Sequence, residues 1–542
     1  MRASFIITSL LLLIAGFYRY YFYHITPWYL FFALPFILLG LYDIIQTQHS
    51  ILRNYPIIGH VRWLMEKIRP MMQQYFVESD LDGAPINRVF RSVVYQRSKK
   101  QVDTIPYGTK FDVYRVGYEW IGHSMAAEEP AKINDDIRIW IGGKACQKPY
   151  HASVLNISAM SFGALSSHAV MALNKGAKKG HFAHNTGEGG ISSYHLSAGG
   201  DLIWQLGTAY FGCRRSDGQF DPEQFSRQAR LSVVKMIEIK LSQGAKPGHG
   251  GVLPACKNTP EIAAIRGVKA YTEIISPATH SAFSTPLELM AFIEQLRTLS
   301  EGKPIGIKLC IGQRHEFIAL CKAMHETGIL PDFITVDGAE GGTGAAPLEY
   351  ANSIGMPLMD ALSFVDDCLT GFDLRKDIRI IASGKVFTAF HIIKRISLGA
   401  DLCHSARGMM LALGCIQSLQ CNTGKCPTGV TSQHPSLVKG LAIDDKARRV
   451  ANFHYETVKA VAEILGAAGV ENIESLNRQH VFRRVSTARI KSYQQIYPPL
   501  PPGSLLEPPY PKDYAEDMAK ARMDRFRWDG CDCKEKLPRA LV

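Results

Sequence analysis

Two uncharged stretches open the chain. No residue from Ala3 to Tyr18 is charged, Leu10–Ile14 is wholly aliphatic, and after Arg19 the run Ile25–Tyr42 is uncharged again. Each lies near the lower limit of the roughly 17–25 residues that carry a helix across hydrocarbon. Between them come Tyr18, Tyr20, Tyr21, Phe22, Tyr23, Trp28 and Tyr29, the aromatic composition of a membrane–water interface. The pattern predicts a two-helix membrane hairpin over residues 1–45. A signal peptide followed by a core helix is the alternative. It fits less well, because no small-x-small cleavage site precedes a polar start and a second apolar span follows at once. Arg2 precedes the first stretch and Arg53, Arg62, Lys67 and Arg69 follow the second, whereas the turn carries mainly Arg19. The excess of positive residues places both ends, and the catalytic body, on the cytoplasmic side of an inner or plasma membrane.

Residues 46–150 are polar and Arg-rich, with no periodic signal long enough to define a fold. Beyond them, short β-rich runs alternate with helical stretches. The runs are Val154–Ser161, Phe182–Asn185, Met236–Leu241, Thr272–Ser276, Ile305–Leu309, Phe333–Asp337, Ile378–Ser383 and Asp401–Ser405. Helical periodicity marks Ser166–Gly180, Leu287–Leu299, Phe317–Thr327 and Ala389–Leu398. Eight strands with intervening helices predict an α/β fold, a TIM barrel over residues 151–480, followed by a Pro-rich extension at 481–542. A doubly wound open sheet is the other arrangement with this alternation. The first strand lacks the G-x-G-x-x-G expected there.

Composition narrows the picture. Hydrophobic residues make up 46% and charged residues 20% of the 542, the balance of an ordered protein with a sizeable core. The net charge, 61 − 49 = +12, suits an anionic membrane or an acidic protein partner. Nucleic acid is disfavoured, since no zinc-finger, homeodomain or RNP signature is present. The twelve cysteines are unevenly spread, three of them within Cys415–Cys426, which argues for a redox or metal site in a reducing compartment and not for a disulfide framework.

The predicted strand ends carry the polar chemistry, as the active face of a barrel requires. Ser161-Phe162-Gly163-Ala164-Leu165-Ser166 follows the first strand, either as a tight turn or as a backbone cradle for a flat ligand. Glu188 lies among glycines in Asn185–Gly190, as a binding carboxylate or a solvated turn residue. Glu238, Lys240 and Ser242 alternate along one face of a strand. Buried polar residues of this kind need a ligand or an ion pair. Lys240 and Lys246 offer cations to a dicarboxylate, Gln243 an amide, and Arg266 a bidentate clamp. Lys308, in an apolar strand, requires either an electron-rich ligand edge or a core acid. The glycine-rich loop Asp337–Pro347, with Gly338, Gly341 and Gly342, follows the sixth strand. Gly384, Lys385 and Arg407 follow the seventh and eighth, where phosphate sites of this fold collect. Cys415-x5-Cys421-x4-Cys426-Pro427 lacks the paired C-x2-4-C spacing of structural zinc and suits an iron–sulfur cluster, for which three thiolates suffice when one iron is missing. Cys531 and Cys533 read as ordinary thiols.

Taken in order, Ser161–Ser166, Asn185–Gly190, Lys240–Gly251, Asp337–Pro347 and Cys415–Cys426 resemble the FMN-binding synthase domain of glutamate synthase. The resemblance covers residues 130–480, and the layout is similar to the membrane-attached single-domain relatives. It implies FMN, with Lys308 at the flavin N1–O2 edge and the phosphate at Gly384, Lys385 and Arg407. It also implies a 3Fe-4S cluster on Cys415, Cys421 and Cys426. Glu188 and Lys246 would be catalytic; Lys240, Gln243, Arg266 and Thr285, a threonine where the family has serine, would surround 2-oxoglutarate or its imine. The family's glutaminase begins with a nucleophilic cysteine, but here the first cysteine is Cys146, and no dinucleotide-binding half is visible. The chain by itself is therefore expected neither to hydrolyse glutamine nor to take hydride from NADPH. Ammonia, a separate glutaminase, or an alkylamine giving an N-alkylglutamate would supply nitrogen, and a ferredoxin-like protein the electrons. A membrane-tethered electron-transfer subunit without a substrate is the remaining alternative.

Overall fold

The computed structural model describes residues 1–129 and 132–528, so Cys531 and Cys533 lie outside the described residues. The chain divides into two compact units, Met1–Val89 and the remainder from Phe90 onward.

In the first unit, helices Arg2–Tyr23 and Tyr29–Ile45 form an antiparallel pair, with His24 reversing the chain in the left-handed conformation at φ 52°. Small residues let them approach. A Cβ at Gly16 would crowd Leu30, and one at Gly40 would sit inside the Phe5 ring. The Tyr29 hydroxyl donates across to the Leu12 carbonyl at 3.3 Å. The 22-residue first helix is long and apolar enough to cross a membrane; the second is apolar but has 17 residues. Asp43, near its end, is fully buried. Its carboxylate accepts from the Ile57 amide at 2.9 Å and meets His60 Nε2 at 2.9 Å. After a short helix, Ser50–Asn54, comes the longer Gly59–Met72, which runs on into a π-helical turn, Gln73–Val77. The polar, Arg-rich region, whose periodicity is too short to define a fold, thus holds the helices Gly59–Met72 and Arg88–Lys99.

The second unit is built on a closed barrel of eight parallel strands. These are β1 (Leu155–Ile157), β2 (His184–Asn185), β3 (Leu202–Leu206), β4 (Val234–Lys240), β5 (Ile305–Leu309), β6 (Phe333–Asp337), β7 (Arg379–Ser383) and β8 (Leu402–Ser405). Each pairs with its chain neighbour, and β8 closes on β1 through Cys403 opposite Leu155. The strands are almost wholly buried, as parallel strands covered by helices must be. The expected barrel is therefore present, with one correction. Thr272–Ser276 is not a barrel strand, since Ile274–Ile275 pairs antiparallel with Val252–Leu253 inside the long loop after β4. Its place is taken by Leu202–Leu206. Short apolar runs do not reveal which partner they will pair with, and a loop long enough to carry its own hairpin imitates a further strand.

Capped helices separate the strands. Ser166 accepts from the Ala169 amide to start Ser167–Gly180, and Thr285 and Glu288 form a capping box at Pro286–Leu299. A 26-residue helix, Ile443–Ala468, packs along Ser167–Gly180. Residues after 480 add two strands, Val481–Arg484 and Ile490–Ser492, to Glu119–Ile121. Glu119 pairs with Arg483 across this sheet at 2.7 Å and ties the sheet to the helix Ala389–Ser397 through Lys394 at 2.6 Å.

Candidate functional site

The end of β4 and the loops after β2 and β4 bring Glu188, Lys240, Arg266 and Lys246 together. Lys240 Nζ lies 3.0 Å from Glu188 Oε1. Burial alone would raise the Glu188 carboxyl, but Lys240, Arg266 and Lys246 outweigh it and hold the group below its usual range. Glycine makes room for this carboxylate: a Cβ at Gly207 would stand 2.5 Å from Glu188 Oε2, and one at Gly251 would collide with Oε1. Arg266 stacks on the Phe211 ring at 5.0 Å and donates to the Phe162 carbonyl at 3.1 Å. Ser161 stands beside it, its Oγ 3.4 Å from Arg266 Nη2. Gly163 lies on the other side at φ +101°, where a Cβ would meet the guanidinium at 3.3 Å. Desolvation lowers Arg266 to about 10 and, with Lys240 adding repulsion, Lys246 to about 8. The cluster is thus three cations around one carboxylate, all in a poorly solvated place.

Below it the barrel interior holds a polar network centred on Glu238. Glu238, fully buried, accepts from Asn185 Nδ2 at 2.8 Å, Gln205 Nε2 at 2.6 Å and Thr335 Oγ1 at 2.6 Å. Lys308 pairs with Asp337 at 3.3 Å, so of the two partners its sequence context allowed, the core acid is on hand. Burial works against its charge, yet Asp337 and Glu238 prevail and raise its pKa.

Toward β5–β8 lies a polar cleft. Gln243, Lys308, Gly341, Gly342, Gly384, Lys385, His404 and Arg407 line it. Gln243 therefore faces this cleft. Gly338 lies just behind, where a Cβ would press on Leu358 at 2.5 Å, and a Cβ at Gly342 would stand 2.8 Å from Arg407 Nε. Lys385 is lowered by burial and then by Arg407. His404 Nε2 is buried without a hydrogen-bond partner, and burial lowers the ring to about 4. Thr285, by contrast, spends its hydroxyl on the Glu288 amide at 3.1 Å, as a helix cap.

Cys415, Cys421 and Cys426 occupy one loop, close enough that Cys421 and Cys426 add to burial in raising Cys415 to about 11. Cys426 is pulled down despite burial, through the hydroxyls of Thr428 and Thr431. Among the described residues no set of three His, Cys, Asp or Glu side chains is assembled as a metal site. The loop is stitched to the segment after β1: Gln433 Nε2 donates to the carbonyls of Gly163 at 3.0 Å and Leu165 at 2.9 Å. Lys257 Nζ donates to the carbonyls of Ala164 at 2.8 Å and Cys421 at 3.2 Å.

Sequence reasoning missed Lys257, Gln433, Gln205 and the pair Tyr210 and His280. His280 Nε2 meets the Lys240 carbonyl at 2.9 Å while Nδ1 meets the Tyr210 hydroxyl at 3.0 Å, fixing the end of β4. Only Gln205 carried a signal, a lone polar residue in the apolar run before Gly207.

The conserved region in glutamate synthase matches residues 109–471, more than half of the chain. The glutamate synthase large subunit-like protein YerD of Bacillus subtilis is 36% identical over 495 residues, covering 83% of this chain and 94% of its own. The archaeal glutamate synthase [NADPH] of Methanocaldococcus jannaschii is 36% identical over 321 residues, 59% of this chain and 60% of its own. Among solved structures, the flavin-binding domain of baker's yeast flavocytochrome b2 covers 74% of this chain and 80% of its own, at 12% identity and TM-score 0.42, too distant to bear on chemistry. By its match across residues 109–471 and its likeness to the Bacillus protein, this chain belongs to the glutamate synthase family.

Proposed function

We propose that the chain is an FMN-dependent oxidoreductase that reductively aminates 2-oxoglutarate to glutamate, with nitrogen from free ammonia or a partner glutaminase. Its family membership makes it an oxidoreductase; the substrate and cofactors are our reading. The observation that carries the reading is the cluster of Lys240, Lys246 and Arg266 around Glu188. Three cations less one carboxylate leave +2, the complement of a dicarboxylate's −2, and in a poorly solvated site such complementarity is strong. Lys240 and Arg266 would take the carboxylates, and Lys246, with a pKa of about 8, would hold or release a proton at Nζ near neutral pH. Glu188, held ionised, would accept from the N–H of the incoming amine or imine.

FMN fits the cleft by three features: the unpartnered His404 Nε2, the bare backbone at Gly341 and Gly342, and the cations Lys385 and Arg407 where a phosphate would lie. When bound it supplies hydride. Lys308 and Gln243 would face the ring, and Gly384, Lys385 and Arg407 the phosphate. The thiols of Cys415, Cys421 and Cys426 have the donor chemistry of a 3Fe-4S cluster, which would pass electrons singly from a ferredoxin-like donor. The apolar pair Arg2–Tyr23 and Tyr29–Ile45 would anchor the protein in an inner or plasma membrane with the catalytic body in the cytoplasm.

The test is reoxidation of the chemically reduced, anaerobically purified protein. Addition of 2-oxoglutarate with ammonia is expected to restore the absorbance of oxidised flavin and to yield glutamate by mass spectrometry. A flavin-free protein, or a reduced flavin indifferent to 2-oxoglutarate with either ammonia or methylamine, would overturn the reading; preference for methylamine would move it to an N-alkylglutamate synthase.

A further inference from the structure

We infer that the helix Gly59–Met72, with its π-helical continuation, lies flat in the interface of an anionic phospholipid bilayer. The inference rests on the membrane reading of the two apolar helices and adds to it a third, differently oriented element.

At 100° per residue, Val61, Leu64, Met65, Ile68, Met71 and Met72 fall within an arc of about 120°. Ile68 is half-buried and the other five are exposed, Leu64 at 52% and Met71 at 54%. Phe76, in the π-helical turn, is exposed at 78%. An amphipathic helix of a soluble domain turns such a stripe inward; this one leaves it uncovered.

Charge selects the occupant. Arg62 and Arg69 stand on one flank of the stripe and Lys67 on the other, so cations border it on both sides, while Glu66 lies on the far face. Arg62 to Glu66 is an exposed pair at 3.8 Å, which neutralises little. Long basic side chains flanking an apolar face reach phosphate groups while the face dips among the acyl chains. A facing protein helix would need acidic flanks and has no further requirement for this arrangement.

Position agrees. Within the same unit, the buried Asp43 carboxylate at the end of Tyr29–Ile45 binds the Ile57 amide and His60. That clamp fixes the start of Gly59–Met72 at the end of the apolar pair, the level at which a bilayer has its headgroups. The exposed apolar surface of the pair and that of Gly59–Met72 therefore belong to one unit.

Photo-crosslinking on the full chain tests this. A benzophenone amino acid is placed at Leu64, Met71, Glu66 or Leu11, and the protein is reconstituted into phosphatidylcholine–phosphatidylglycerol vesicles or phosphatidylcholine alone. Lipid adducts are expected at Leu11, Leu64 and Met71, with Glu66 several-fold lower. The Leu64 and Met71 adducts are expected to fall several-fold without phosphatidylglycerol or in Lys67→Gln/Arg69→Gln. Adducts at Leu11 but not at Leu64 or Met71 would overturn the interfacial helix and leave the anchor standing. Protein–protein adducts at Leu64 and Met71 would assign the face to another chain and equally overturn it. Absence of lipid adducts at all four positions would overturn the membrane reading itself, and equal yields with and without phosphatidylglycerol would overturn the anionic surface.

Discussion

Glu188, half-buried at the mouth of the barrel, and Glu238, fully buried below it, are carboxylates of one molecule satisfied in opposite ways. Glu238 is surrounded by neutral donors from β2, β3 and β6, each at 2.6–2.8 Å, and every acceptor direction that matters is used. Glu188 is surrounded by cations in excess, and its nearest polar contact is Lys240 at 3.0 Å. A neutral, closed network fixes a structure, because any new group would have to displace a good hydrogen bond. An over-charged cluster holds an unspent positive field and gains from a further anion. The difference in partners separates architecture from binding within one residue type.

The contrast can be broken directly. Glu238→Ala strands three buried donors and is expected to cost about 4 kcal/mol or more, read from urea unfolding of the solubilised protein. Glu188→Gln is expected to leave the unfolding midpoint near wild type while slowing 2-oxoglutarate-dependent flavin reoxidation about a hundredfold, some 2.7 kcal/mol in the barrier. A Glu238→Ala loss under about 1 kcal/mol, or unfolding of Glu188→Gln before any kinetic effect, would erase the distinction.

Titration sharpens it. Lys246 has a folded pKa of about 8 against an ordinary 10.5, so the unfolded chain binds more protons between those values and this group's contribution to stability rises with pH across them. Dicarboxylate affinity should move the other way and weaken as pH passes about 8, when Nζ loses its charge. Glu188 is lowered from 4.5, so the stability from its pairing is complete above that value and is lost as pH falls through the folded pKa. A pH profile of KM for 2-oxoglutarate in wild type and Lys246→Met is the measurement, and an inflection near 8 that survives the substitution would remove Lys246 from the site.

Thr285→Ala gives the smallest effect. Loss of the cap should cost about 1 kcal/mol of stability. Its hydroxyl is occupied by the Glu288 amide, so KM for the dicarboxylate should stay the same; a several-fold rise in KM would return Thr285 to the substrate.

Much of this was readable from the chain. Period-two polarity in Glu238-Ile239-Lys240 placed two charges inside a barrel, and the glycines around Glu188 and after β6 marked strand ends. What escaped was pairing. Ile274–Ile275 has the β-branched composition of a barrel strand and lies in a loop hairpin, because strand partners are chosen by tertiary packing and not by local preference. Thr285 showed the same ambiguity at one residue, since a hydroxyl before Pro-Leu-Glu suits a cap as well as a ligand. Lys257 and Gln433 act through backbone carbonyls remote in sequence, and no spacing announces such bonds.

The way Glu238 is held has a consequence for how the barrel assembles. One carboxylate oxygen takes Asn185 and Gln205 from the preceding quarter, but the other waits for Thr335, contributed by β6 nearly a hundred residues later. A nascent half-barrel ending after β4 would enclose a charge with an open valence, which penalises premature closure. Folding of the two halves is thereby tied into one cooperative event, and a chain cut between β4 and β5 should yield pieces that associate but do not fold apart.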